Sequence, residues 1–170
     1  MRLTLSQLNA LDADAFERQL GPVFEHAPWV ARRAAGRRPC GSRAALHDAM
    51  VAAIAAADRD EQLALLRGHP DLAGKAAIAG DLTADSRREQ QGAGLDRLTP
   101  EEYERFHALN RRYKERFGFP FILAVKGKTK AYILAAFARR LERAPDIEFR
   151  EALDQVGRIA AFRLADMVED

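Results

Sequence analysis

The sequence predicts an all-α fold, a single compact multi-helix domain over residues 1–170. Three observations carry this. Alanine, leucine, arginine and glutamate dominate, and all are good helix formers. Helix start and stop signals recur along the chain. Apolar residues return at a 3.6-residue period, with no internal repeat or low-complexity stretch to suggest another architecture. A chain of 170 residues can bury a real core, and 48% hydrophobic against 31% charged residues is the balance of a soluble globular protein.

The elements follow in order. Asp12 caps a helix reaching about Leu20, stopped by Gly21-Pro22. A short piece covers Pro28 to Ala35. Ser42 is an N-cap for a helix to about Ala57, with Leu46, Met50 and Ile54 at i, i+4 and i+8. Asp58-x-x-Glu61 is a capping box with Asp in place of Ser or Thr, opening a helix that ends near Gly68. Thr99-Pro100-Glu101-Glu102 combines an N-cap, a proline at N1 and a capping glutamate at N3. Tyr103, Phe106, Leu109, Asn110 and Tyr113 then keep helical spacing until Gly118. Phe119-Pro120 breaks the chain, and periodicity does not decide whether Phe121 to Val125 is extended or a helix entry. Helices over about Thr129–Arg143 and Asp146–Val168, separated by Pro145, complete the chain. Arg32 to Pro39 reads as a basic loop rather than a domain boundary.

Several function classes are disfavoured. A net charge of +2 is too small to argue for nucleic acid. The single cysteine, Cys40, gives no disulfide framework and suits a reducing compartment. Met1 to Gln7 lacks a signal-peptide apolar run, no run of about 18 apolar residues occurs, and Met167 to Asp170 is not a peroxisomal tripeptide. The expectation is a cytoplasmic protein without a membrane partner. Gly127-Lys128-Thr129 resembles the end of a phosphate-binding loop, but Ile122 stands where that loop needs glycine. Zinc-type His-Glu-x-x-His and paired-cysteine patterns are absent, as is a Rossmann glycine pattern. Metal, nucleotide and nucleophilic-cysteine readings are therefore disfavoured.

Three places could carry chemistry. Pro70 pushes His69 out of the α region just past a helix end, so its ring projects from a corner. An imidazole with an ordinary pKa of about 6.5 suits proton transfer near neutrality. The alternative is a histidine that caps the helix ending at Gly68. His26, His47 and His107 read as structural residues in helical contexts. In Ser86-Arg87-Arg88-Glu89-Gln90, positions i, i+3 and i+4 share a helical face, so a hydroxyl, a carboxylate and an amide can converge. Spacing alone favours a Ser86–Glu89 capping box. Arg163 lies in the stripe Phe149, Leu153, Val156, Ala160, Arg163, Met167. A charge there needs a partner, either a protein carboxylate or an anionic ligand, and the stripe does not choose.

Longer blocks carry a resemblance. They are Leu20-Gly21-Pro22-Val23-Phe24-Glu25-His26-Ala27-Pro28-Trp29, Arg38-Pro39, Leu46-His47-Asp48-Ala49-Met50 and His69-Pro70-Asp71-Leu72-Ala73-Gly74-Lys75. Ser86-x-x-Glu89-Gln90, Gly92-Ala93-Gly94-Leu95, Leu109-Asn110-x-x-Tyr113, Phe117-Gly118-Phe119-Pro120-Phe121 and Arg163-Leu164 follow. Together they make the chain resemble the 2-oxo-4-hydroxy-4-carboxy-5-ureidoimidazoline (OHCU) decarboxylases of urate breakdown, over nearly its whole length. Cys40 departs from the pattern, standing where an aromatic residue is common. The resemblance implies an all-α fold, commonly a homodimer, and cofactor-free decarboxylation of OHCU to (S)-allantoin. It implies catalytic roles for His69 and Glu89, and substrate binding by Pro70, Ser86, Gln90, Arg163 and backbone groups of Phe121, Ile122 and Leu123. Two alternatives stand beside it: a helical module binding nucleic acid or acidic partners through Arg32, Arg33, Arg37 and Arg38, and a related enzyme acting on another ureido acid.

Overall fold

The computed structural model describes residues 2–74 and 80–170, and helices are numbered here among those residues. Lys75, the last residue of the His69 block, lies outside them. The chain is predominantly α-helical, as the sequence predicts. Its packing divides into two compact units, Met1–Gly68 with Gly157–Asp170, and His69–Val156.

In the first unit α1 (Leu5–Ala10) opens with a Thr4–Gln7 capping box that sequence analysis passed over. Helix α2 (Ala13–Leu20) starts where Asp12 accepts a bond from the Ala15 N–H at 2.7 Å. Then come α3 (Trp29–Ala34), α4 (Arg43–Ala56) capped by Ser42, and α5 (Arg59–Arg67) with the Asp58–Glu61 box. Helix α3 packs against both α2 and α4. Phe16, Leu20, Val30, Leu46, Met50, Leu65 and Leu66 are buried there, each such side chain stabilising the unit by about 1.5–3 kcal/mol. Two-residue strands Leu3–Thr4 and Val168–Glu169 pair in parallel, Leu3 opposite Val168.

The basic stretch is not a loop. It comprises the end of α3 and a 3₁₀ turn, Ala35–Arg37. Three of its four arginines have partners within the unit: Arg32 pairs with Asp14, Arg33 with Glu61, and Arg38 donates to the carbonyls of Leu8 and Ala35 at 3.2 and 3.0 Å, while Arg37 is exposed. His26 also departs from its expected helical setting, sitting in a turn at φ 52°.

The second unit holds α6 (Ala84–Gly92), α7 (Pro100–Phe117), α8 (Lys130–Leu141) and the first part of α9 (Pro145–Met167). Helix α7 ends at Gly118, whose φ of 80° is the left-handed conformation that glycine adopts without strain. Residues 119–125 form neither helix nor strand, yet Phe119 and Phe121 to Val125 are buried. Around them Tyr113, Phe119, Phe121, Phe137 and Phe149 make an aromatic core, with Phe121 stacked on Phe137 at 3.7 Å between centroids.

Candidate active site

Helix α5 stops at Arg67, and His69 follows in non-helical backbone with only 8% of its surface exposed. Beyond Pro70 the chain turns tightly. Ala73 adopts φ 53°, unusual for a residue with a Cβ, and a Cβ on Gly74 would lie 2.7 Å from that of Asp71. Only glycine fits there.

Side chains from two helices staple this turn. Gln90 of α6 accepts from the Ala73 N–H at 2.9 Å and donates to the Asp71 carbonyl at 3.2 Å. Asn110 of α7 donates to the Leu72 carbonyl at 2.8 Å, and Lys114 pairs with the Asp71 carboxylate at 2.7 Å. Three consecutive residues after the His69-Pro70 corner are thus held. Among the described residues the buried Asn110 Oδ1 has no hydrogen-bond partner. The sequence reading placed Asn110 in the helical stripe and in the block Leu109-Asn110-x-x-Tyr113, and did not single out Lys114. The spacing Asn110-x-x-x-Lys114, two polar groups one turn apart on one face, was the available signal.

On α6, Ser86 and Gln90 are buried, Glu89 is partly exposed, and Arg87 and Arg88 between them are exposed. The expected shared face therefore exists, and Gln90 ties it to the turn after His69. The capping-box alternative fails, because Thr83 is the N-cap and accepts from the Ser86 N–H at 3.3 Å. Ser86 lies inside the helix.

Phe121, Ile122 and Leu123 lie in the buried irregular segment of the same unit. Their backbone is secured from the side: Arg140 donates to the Ile122 carbonyl at 2.6 Å, and Gln155 accepts from the Ala124 N–H at 3.0 Å. Among the described residues no group hydrogen-bonds to the N–H of Ile122 or Leu123. A buried donor left open in this way suits a ligand acceptor.

Arg163 belongs to the other unit. It is 4% exposed, donates to Glu25 Oε1 at 3.0 Å and reaches the Val23 carbonyl at 3.2 Å. Of its two possible partners the structure shows a protein carboxylate, itself 3% exposed. Glu25 sits in the turn whose next residue, His26, has positive φ. A carboxylate following Val23-Phe24 was the sequence signal for it. His47 is structural, its Nε2 2.7 Å from the Gly157 carbonyl, and His107 stacks on Tyr103. No group of three or more His, Cys, Asp or Glu side chains placed to hold a metal occurs among the described residues, and no helix among them is long and apolar enough to cross a membrane.

Comparison with known proteins shows the family. Residues 9–165 match the family model for OHCU decarboxylase. The chain is 47% identical over 164 residues to a 2-oxo-4-hydroxy-4-carboxy-5-ureidoimidazoline decarboxylase of Haloferax volcanii, covering 96% of this chain and 95% of that one. It is also 47% identical over 167 residues to the uric acid degradation bifunctional protein of Bacillus subtilis, covering 98% of this chain but a third (33%) of that longer protein. The crystal structure of (S)-allantoin synthase superposes with a TM-score of 0.78 at 32% identity, over 98% of this chain and 54% of that one. A second crystal structure, of an OHCU decarboxylase, shares the fold at a TM-score of 0.66 and 23% identity, over 81% of this chain and 89% of that one. The chain belongs to the OHCU decarboxylase family.

Proposed function

We propose that this protein decarboxylates OHCU to (S)-allantoin in urate degradation, with His69 and Glu89 as its acid/base pair. The observation that carries the residue assignment is the stapled corner: Gln90, next to Glu89 on α6, is hydrogen-bonded to the turn that follows His69. Such stapling sets the orientation that proton transfer demands.

The substrate needs little from a cofactor. Its reacting carbon bears a hydroxyl and a carboxylate beside a carbon–nitrogen double bond. When the bond to CO2 breaks, its electron pair forms a carbon–carbon double bond and the imine nitrogen gains a proton. The enol hydroxyl then gives up its proton to become the carbonyl, while the carbon bearing the ureido group takes one and becomes the stereocentre. The protein's tasks are to hold the ring, move these protons and admit the last from one side only. His69 and Glu89 move protons. Ser86 and Gln90 fix ring and ureido groups; Gln90 retains one N–H and one lone pair beyond those bound to the turn. Pro70 packs beside the ring, backbone groups of Phe121 to Leu123 meet its polar edge, and Arg163 holds an anionic or carbonyl oxygen. The same reading takes the enzyme as a cytoplasmic homodimer that uses no metal, nucleic acid or membrane. This rests on the habits of the family and is checked by light scattering and by activity in EDTA.

The test generates OHCU from urate with a urate oxidase and a hydroxyisourate hydrolase, then follows circular dichroism. Spontaneous decay gives racemic allantoin, so fast appearance of one enantiomer is the expected result. His69→Asn should lower the enzymatic rate about 10²–10⁴-fold with the melting temperature kept. Racemic product formed no faster than in the blank would overturn the activity, and near-wild-type turnover by folded His69→Asn would remove that residue from it.

A further inference from the structure

The second unit holds a buried ionic network that the proposed chemistry does not use. Arg140 of α8 is 2% exposed and Glu148 of α9 is fully buried. Arg140 Nε donates to Glu148 Oε1 at 2.6 Å, with Nη2 2.5 Å from the same oxygen. The Tyr113 hydroxyl donates to that oxygen too, at 2.5 Å. Among the described residues Glu148 Oε2 receives no hydrogen bond. Two donors share that Oε1 oxygen while Arg140 Nη2, close to it, makes no hydrogen bond among the described residues, a poor arrangement for stability alone. Hydrophobic replacement of buried ion pairs is often neutral or stabilising.

What hydrophobes would not replace is the remaining donor. Arg140 Nη1 reaches the Ile122 carbonyl at 2.6 Å, while the guanidinium carbon lies 4.4 Å from the centroid of the Phe121 ring. Glu148 and Tyr113 fix the planar fork, and the fork fixes a peptide group in a segment without secondary structure of its own. From α9, Gln155 performs the complementary task. It is 3% exposed, its Oε1 takes the Ala124 N–H, and its Nε2 is anchored to Glu151 at 3.0 Å. The two contacts bracket Leu123 on either side.

We propose that Arg140 and Gln155 are positioning residues that clamp the Ile122–Ala124 backbone so that its open N–H groups meet substrate, Arg140 being held to the task by Glu148 and Tyr113. This rests on the reading of Phe121 to Leu123 as substrate-binding. Neither side chain touches the reacting atoms. Their effect is carried by the backbone between them, where misplacement of about 1 Å can cost 10²-fold.

Two variants test it. Arg140→Met with Glu148→Gln removes both charges together and keeps an acceptor for the Tyr113 hydroxyl. Gln155→Leu removes the acceptor for Ala124 together with the bond to the half-buried Glu151, and decides the matter alone if the paired variant does not fold. Each is measured for melting temperature, for KM and kcat on OHCU across pH, and for amide hydrogen exchange in peptides covering 119–128. In folded variants the expected result is a fall in kcat/KM of about 10- to 100-fold, carried by KM. The pH profile of kcat should keep its shape, because His69 and Glu89 are untouched, and exchange in 119–128 should quicken. A folded variant with wild-type KM and wild-type exchange overturns the proposal, and so does a loss confined to kcat with a shifted pH profile. If wild-type protein does not accelerate OHCU decay while exchange still responds, the activity reading fails and the clamp loses its substrate role.

Discussion

Replacing Arg163 with methionine removes a charge from an ion pair whose members are 4% and 3% exposed and 3.0 Å apart. At an effective dielectric near 20 the Coulomb attraction at that separation is about 5 kcal/mol. Much of it offsets the cost of taking two ions out of water. Breaking one side of a buried pair is the unfavourable case, because the remaining carboxylate keeps its desolvation cost without this cation, and about 3–5 kcal/mol is the usual loss. For a chain of this size each kcal/mol shifts the melting temperature by about 2–4 °C, so Arg163→Met should melt about 6–20 °C below wild type. Glu25→Gln in the same background takes away the buried charge that lost this cation and should restore much of the loss. Thermal and urea denaturation followed by circular dichroism, run as a double-mutant cycle, give the coupling directly. The double variant also separates stability from binding: it should refold well and still handle OHCU poorly if Arg163 is a substrate group. Arg163→Met melting like wild type, or a double variant no more stable than the single, would refute the reasoning.

Two further outcomes are expected. Thr83→Ala should cost about 0.5–2 kcal/mol through the lost N-cap of α6 while leaving KM alone, whereas Ser86→Ala should raise KM; the reverse pattern in paired melting and kinetic measurements would return Ser86 to a capping role. At alkaline pH, burial and then the hydrogen bond to Glu148 push the Tyr113 hydroxyl far above its ordinary value of about 10. The folded state thus holds this proton more tightly than the unfolded chain. Its stabilising contribution is complete below about pH 10 and is lost as pH rises beyond it. The urea midpoint should therefore fall above that pH in wild type and fall less steeply in Tyr113→Phe; equal slopes would sink this linkage.

The local signals were sufficient wherever a helix end is a matter between near neighbours. Asp12, Ser42, Asp58 and Thr99 cap where their patterns say, because an N-cap bond spans three residues and owes little to the rest of the chain. The shared face of Ser86, Glu89 and Gln90 was legible for the same reason, since helical spacing alone sets it. The cap of α6 itself was misassigned: Ser86 with Glu89 imitates a capping box, and only a helix beginning three residues earlier, at Thr83, shows Ser86 to be interior.

What the sequence left open were partnerships across long stretches of chain. Arg163 finds Glu25 over 138 residues, Asn110 finds Leu72 over 38, and Gln155 finds Ala124 over 31. Residues 121–125 could not be assigned from periodicity because side chains of distant helices hold them, through Ile122 and Ala124. The basic stretch misled in the opposite sense, its charge pattern giving no sign that Asp14 and Glu61 would take up Arg32 and Arg33. The sequence by itself therefore determined most of the helices and the kinds of chemical group at the candidate site, because propensity, capping and spacing act within a few residues. Which carboxylate meets which guanidinium, and which side chain holds which turn, was decided only by tertiary structure: a buried polar group must find a partner, and no local rule says where along the chain that partner lies.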